Sequence, residues 1–354
     1  MDIHMKQAPS DFFPASHQPG LFRSSAWLTA WNETWGTHPS TRPSGDAVSL
    51  SSGTTLEEMI VRTRTYKGSI LPITTAFPLG LSTREMPSIR SEYFFFCNED
   101  DHLSKTITRY LDNALQQSWD QFYIADVLRS SPTYHLLLQA AKARQLGIIH
   151  AEIEPTYAID LRQQDFTTYL GNLGKHTRLR LFNRRQHLKK QGPVKVQNIW
   201  PDRTAFFQLL NDFHQRRWGK ACYRGRNRDF INLLLDRSTA QGYEVDFSVM
   251  SVSDTPVSVV FDIRYQGRQY NFQSGYQENY CKSVALGTLH FGYQIEAAFN
   301  NPAIQFYDFM AGKGKNCDYK KKLVNRTDEF ATLLLVRSHW LKQAYKLQSL
   351  LRRT

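Results

Sequence analysis

Three runs of alternation between Tyr243 and Gln273 constrain this chain more than any other feature. Tyr243, Val245, Phe247 and Val249 alternate with Glu244, Asp246 and Ser248. Val257, Val259, Phe261, Ile263 and Tyr265 alternate with Ser258, Asp262 and Arg264, and Tyr270 and Phe272 with Asn271 and Gln273. A period of two places the apolar set on one face of a strand. Asp254-Thr255-Pro256 and Gln266-Gly267 supply turns, so the stretch reads as an antiparallel meander. A helix is expected from about Val284 to Phe299, then a short strand, Ile304 to Phe309. A loop, Gly312-Lys313-Gly314-Lys315, leads to Tyr319-Lys320-Lys321-Lys322. A meander, a helix entered from a basic loop and a strand ending in Asp and Gly together suggest a site for an anionic ligand.

A chain of 354 residues exceeds what one compact core usually serves. Residues 1–20 read as a loose arm, 21–155 as a first half and 156–354 as a second half carrying the site. In the first half, Leu21 to Trp35 is helix-like. Its stripe of Phe22, Trp27, Leu28, Trp31 and Trp35 is expected to be core. Leu56 to Thr65, Ser69 to Phe77, Ser91 to Cys97 and Gln121 to Val127 read as strands. Leu103 to Trp119 reads as a helix, and so does the stretch from Pro132, capped by Ser131, to Gly147. The second half begins near Tyr157. Helices are expected at Asp165 to Leu173, Lys175 to Gln191, Asp202 to Trp218 and Asp229 to Gln241, and strands at Val194 to Ile199 and Phe330 to Val336. Trp340 to Leu351 reads as an amphipathic basic helix. Both halves mix strands with helices, which makes the class α/β or α+β.

The net charge of +12 favours anionic partners: nucleotide, phosphorylated substrate, nucleic acid or acidic membrane. Cys97, Cys222, Cys281 and Cys317 are scattered without metal or redox spacing, as reduced cytosolic thiols would be. Met1 to Gly20 has no signal-type apolar core, and no apolar run has membrane-spanning length. A cytoplasmic location without a membrane span is expected, with peripheral membrane contact open through the last helix.

Several motifs carry both a chemical and a plain reading. Lys175, Arg178, Arg180, Arg184, Arg185, Lys189 and Lys190 fall in a stretch, Phe166 to Pro201, without Asp or Glu. It is a solvated helix or a surface for phosphate or polyanion. In His214-Gln215-Arg216-Arg217-Trp218 the arginines suit a helix C-terminus, and His214 is either a pocket base or a packed side chain. Cys281-Lys282-Ser283 precedes a helix, so Ser283 reads as its N-cap and Lys282 as a neighbour of a phosphate cradle. Tyr319 and Lys320 offer a hydroxyl and an ammonium suited to stabilising an oxyanion, or else belong to a basic surface. No metal cluster, Ser-His-Asp order or dinucleotide glycine pattern is present.

The same pieces resemble the CelD-type (cellulose-biosynthesis-associated) acetyltransferase-like proteins of the GNAT superfamily, which are similar in turn to Fem-type peptidoglycan aminoacyltransferases. The residues that carry the likeness are Arg178 in Lys-His-Thr-Arg-Leu-Arg, Arg185, His214-x-x-Arg217-Trp218 and Gln273-Ser274-Gly275-Tyr276. Ser283 before a helix, Tyr307-Asp308-Phe309-Met310-x-Gly312 and Tyr319-Lys320 complete it. Ser25-x-Trp27-Leu28-x-x-Trp31 fits more loosely. The resemblance implies two GNAT-like halves, each a mixed sheet flanked by helices. It implies acyl transfer to an amine or hydroxyl, with acyl-CoA as donor and no metal. Lys320, His214 and Tyr319 are then the catalytic candidates. Lys282, Ser283, Val284 and Ala285 would meet the donor. Arg178, Arg185, Arg217, Trp218, Gln273, Tyr276 and Asp308 would line the substrate cleft. The chain has Ser283-Val284-Ala285 where many relatives have Ser-Pro-Gly, and it lacks the GNAT pyrophosphate signature.

The leading expectation is an acyltransferase acting on a precursor of a cell-surface polysaccharide, peptidoglycan or lipid. Two alternatives stand beside it: aminoacyl transfer from tRNA, and non-catalytic binding of an anionic polymer or nucleotide.

Overall fold

The structure, a computed structural model, describes residues 20–36, 42–43, 60–65, 73–82, 87–94, 103–312 and 318–351. The expected N-terminal arm, Cys97, Cys317 and most of the Gly312–Lys315 loop lie outside these residues. The chain divides into two compact units, Met1–Pro155 with Asp328–Thr354, and Thr156–Thr327.

Unit 1 opens with a turn of 3-10 helix, Leu21–Arg23, and α1, Ser25–Trp35, whose first turn is capped by Ser24 through Trp27 N. The aromatic stripe is buried. Trp27 Nε1 donates to Ser91 Oγ (2.8 Å) and Trp31 Nε1 to Ser88 Oγ (3.0 Å), so both indoles satisfy their one donor inside the core. Strands β1 (Arg42–Pro43), β2 (Ile60–Thr65) and β3 (Ile73–Pro78) form an antiparallel meander. Helix α2, Leu103–Leu115, then crosses to β4, Gln121–Leu128, which runs parallel to β3. A parallel pair needs such a crossover. Helix α3 (Pro132–Ala143) starts at Ser131, whose Oγ accepts from Tyr134 N, and it precedes β5 (Gly147–Asp160). Residues 91–94 are not a strand; Tyr93 has a φ of 57° and lies outside the β region.

Strand β11 (Arg326–Val336) also belongs to unit 1, where it pairs antiparallel with β4, and α11 (His339–Leu351) follows it. The sequence reading assigned residues 328–354 to the second half. The difference has a plain cause. Phe330 to Val336 is buried at every position, and it packs into the unit 1 core with Phe122, Ile124 and Leu137.

Unit 2 holds the end of β5 and, in chain order, α4 (Phe166–Asn172), α5 (Lys175–Arg178), α6 (Arg185–Lys189), β6 (Val194–Asn198), α7 (Arg203–Trp218) and α8 (Arg226–Asp236). The meander follows as β7 (Glu244–Val252), β8 (Thr255–Tyr265) and β9 (Arg268–Tyr276), with β6 antiparallel to β7 at its edge. Its two turns, Ser253-Asp254 and Gln266-Gly267, put both residues at positive φ, as two-residue hairpins require. Helix α9 (Leu286–Phe299) crosses to β10 (Phe306–Ala311), which is parallel to β9 and antiparallel to residues 156–160 of β5. Helix α10 (Asp318–Leu323) closes the unit. Each unit thus repeats one plan: an antiparallel meander, a crossover helix and a parallel strand. The core under the meander is aromatic, with Phe206 stacked on Phe247 at 4.2 Å and Phe207 and Phe261 edge-on around them.

Candidate functional site

The basic stretch is not one helix. Helix α5 ends at Arg178, a π turn runs from Leu179 to Asn183, and α6 begins at Arg185. The ladder widens to a bond from Arg184 N to Leu179 O. The turn packs against α9 at Gly292, where a Cβ would stand 2.0 Å from Leu181 O. Arg185 fastens the contact. Its guanidinium lies over the rings of Phe182 (4.4 Å) and Tyr293 (3.8 Å) and pairs with Glu296. Arg185 therefore ties two elements together through Nη1, while its buried Nε and Nη2 have no hydrogen-bond partner among the described residues. Arg178 is half-buried, with Nη1 3.5 Å from Leu170 O.

The register left by the π turn presents other cations. A cleft of about 710 Å³ is lined by His176, Leu179, Arg180 and Arg184 from this stretch and by Asn279, Cys281, Lys282, Ser283, Val284 and Ala285. Its lining has three permanent cations and no carboxylate, so its field favours an anion. Lys282 to Ala285 thus meet the basic stretch, through His176, Arg180 and Arg184 and not through the expected Arg178 and Arg185. Ser283 is not the N-cap. It has a φ of 72°, and α9 starts two residues later than expected, with Ala285 at the cap position and no side chain bonded to the first turn. That turn keeps N–H groups without a side-chain acceptor, beside the cleft wall.

A second group forms where the C-terminal end of α7 packs on β9. Gly275 allows the approach; a Cβ there would stand 3.1 Å from Phe213 Cβ. His214 Nε2 donates to Ser274 O (3.0 Å). A carbonyl only accepts, so Nε2 carries the proton and Nδ1 the lone pair. Burial lowers the pKa of this ring, the Ser274 bond opposes that, and the Arg217 charge lowers it further. Arg217 stands against the rings of Trp218 (4.7 Å) and Tyr276 (4.8 Å) and pairs with Glu278 at 3.0 Å. Trp218 is 51% exposed. Gln273 Oε1 accepts from Ser274 N (3.1 Å), and the Gln273 side chain also bonds Cys222, whose thiol burial pushes up to about 11. Burial thus favours the protonated thiol of Cys222 at neutral pH. Tyr276 joins the two groups: its ring touches Arg217 and packs on Gly287 of α9, where a Cβ would come within 2.7 Å.

Lys320 and Asp308 sit elsewhere in unit 2. The Lys320 ammonium donates to three successive carbonyls at the end of β10: Phe309 (2.6 Å), Met310 (3.4 Å) and Ala311 (2.9 Å). It clamps a bulge at which Met310 has a φ of 61°. Tyr319, beside it, stacks on Phe291 at 6.0 Å. Asp308 is fully buried: Oδ2 accepts from Arg268 (2.7 Å) and Oδ1 from Met310 N (2.6 Å). It is an internal ion pair, not a lining residue as the sequence suggested.

Sequence reasoning named Lys282 to Ala285 and placed Arg180 and Arg184 in a stretch suited to phosphate, but it chose Arg178 and Arg185 from that stretch and missed His176 and Asn279. The only signal for the cations was the acid-free composition of their stretch, which does not say which of them share a face. Among the described residues no cluster of His, Cys, Asp and Glu is arranged to hold a metal ion, and no helix is long and apolar enough to cross a membrane.

Residues 175–321, the part of unit 2 that carries all three groups, match the family described as the acetyltransferase (GNAT) domain. No curated protein matches the chain by sequence. Among solved structures, FemX superposes with a TM-score of 0.57 at 14% identity, over 93% of this chain and 96% of that one. A conserved protein of unknown function from Bacteroides thetaiotaomicron gives 0.55 at 12% identity, over 92% and 95%. Such likenesses speak for the fold. The chain therefore has a mixed α/β fold like that of FemX, and residues 175–321, which carry the cleft, match the acetyltransferase (GNAT) domain.

Proposed function

We propose that the chain is an acyltransferase whose activated donor sits with its anionic carrier in the Arg180–Arg184–Lys282 cleft. The observation that carries this reading is that acid-free cleft beside the uncapped start of α9, inside the GNAT-domain match. Arg180, Arg184, Lys282 and His176 would hold phosphate groups, with the first-turn N–H groups of α9 adding to the field. Bound acyl-CoA would supply the acyl group as a thioester. Neutral His214, with its lone pair on Nδ1, is suited to take the proton from the attacking amine or hydroxyl. Trp218 and Arg217 offer an exposed ring and a cation to the acceptor. Lys320 acts as a positioning residue, holding the end of β10 in place. The acceptor we favour is a precursor of a cell-surface polysaccharide, peptidoglycan or lipid, in keeping with the FemX-like fold.

Aminoacyl-tRNA is the second donor to consider. Lys175, Arg180, Lys189 and Lys190 are exposed along the basic stretch, beyond what a single diphosphate would occupy. Thermal-shift titration with acetyl-CoA, longer acyl-CoAs and aminoacyl-tRNA separates the cases. A true donor at a hundredfold excess over its Kd stabilises by about 2.7 kcal/mol. Arg180→Glu with Arg184→Glu should abolish the shift. If no donor stabilises the protein, the proposal fails; if only the tRNA does, and steeply with salt, the second donor stands.

A further inference from the structure

We propose that the exposed face of α11 docks on an anionic lipid surface. Four of the seven exposed large apolar side chains among the described residues lie on this one helix: Trp340, Leu347, Leu350 and Leu351. The helix carries two stripes. Leu341 is buried, Tyr345 donates its hydroxyl to Gln121 Oε1 (2.7 Å), and Lys342 Nζ donates to Gln145 O (2.7 Å), so this stripe docks on unit 1. At 100° per residue, Trp340, Ala344, Leu347 and Leu351 fall on a second stripe about 140° away, with Leu350 at its margin. All five are exposed, and from Lys346 onward every described residue of the helix is exposed.

Charge decides what such a face fits. No Asp or Glu occurs from residue 330 to 354, while Arg337, Lys342, Lys346, Arg352 and Arg353 do, in a chain of net charge +12. An apolar stripe with an interfacial Trp and a wholly basic flank is complementary to an anionic headgroup layer. At 13 residues the helix is too short to span a bilayer, so it would lie along the surface. The occupant is therefore an acidic membrane leaflet, independent of which donor fills the cleft.

The test is co-sedimentation of the full chain with phosphatidylglycerol–phosphatidylcholine vesicles and with phosphatidylcholine vesicles alone. The wild type should pellet with the acidic vesicles and be released by salt. Leu347→Gln with Leu350→Gln leaves the net charge unchanged and alters only exposed side chains, so its melting temperature should match the wild type. It should weaken partitioning at least roughly tenfold, since two leucines leave the apolar phase. Failure of the wild type to bind overturns the proposal. So does a variant that binds undiminished, because other basic surfaces would then account for the attraction. A concentration-dependent dimer that the variant dissolves, with no vesicle effect, would assign the face to a second copy instead.

Discussion

His214 can spend its ring proton on Ser274 O and still accept another at Nδ1. Because burial holds its pKa below the ordinary 6.5, the acid limb of the pH–rate profile should lie below that value. His214→Gln should remove the limb and lower kcat/KM by about 10²–10⁴. A second buried group makes a different claim. Asp262 accepts from Gln269 (2.6 Å), Asn271 (2.8 Å) and Tyr307 (3.0 Å), yet burial outweighs these bonds and lifts its pKa from 3.8 to about 7. A carboxyl raised on folding adds stability below its unfolded pKa and loses it as pH rises towards 7. Urea unfolding at pH 5 and 7.5 should show that loss, a few kcal/mol at most, and Asp262→Asn should flatten it. Lys320→Met leaves three strand-end carbonyls without their ammonium. It should cost about 1–3 kcal/mol in unfolding free energy and lower the melting temperature even without ligand. Residue types were legible in the sequence at this scale, but partners were not. Asp308 and Arg185 looked like ligands because their charges were visible and their mates, the buried Arg268 and the half-buried Glu296, 40 and 111 residues away, were not.

The elements set by apolar alternation or capping are those that the sequence shows best. Strands β7, β8 and β9 fall where period-two runs and turn residues put them. So does α7, which starts at the Asp202 cap and ends at Gly219 with φ 69°. The broken basic helix was not legible. Its charges surround the axis, so no apolar stripe records the extra residue of the π turn. The cause lies across the interface, in Gly292. Gly292→Ala should therefore push the π turn off α9 and disturb Arg180 and Arg184. We expect a loss of about 1–3 kcal/mol in stability and weaker donor binding, measured by melting and by titration. The first part of β5 was missed for another reason: His150 to Ile153 is exposed and carries no consistent apolar face. The start of α9 was displaced because Ser283 has the chemistry of a cap but takes a left-handed backbone instead.

At the scale of the molecule, chain length pointed to two units and the strands fixed their membership. Strand β11 follows all of unit 2 in the chain, yet it supplies the central partner of β4 in unit 1, where it is buried from Phe330 to Val336. Unit 2, Thr156–Thr327, is contiguous; unit 1 is not. A chain ended after Thr327 should keep a protease-resistant unit 2 and expose unit 1 to digestion. Synthesis gives this arrangement a direction. Residues of unit 1 leave the ribosome first but must wait, with the flank of β4 open, until β11 has been made. Unit 2 needs nothing later than itself. The part of the chain that carries the candidate site can therefore mature first, and the earlier-born unit closes around a strand that arrives last.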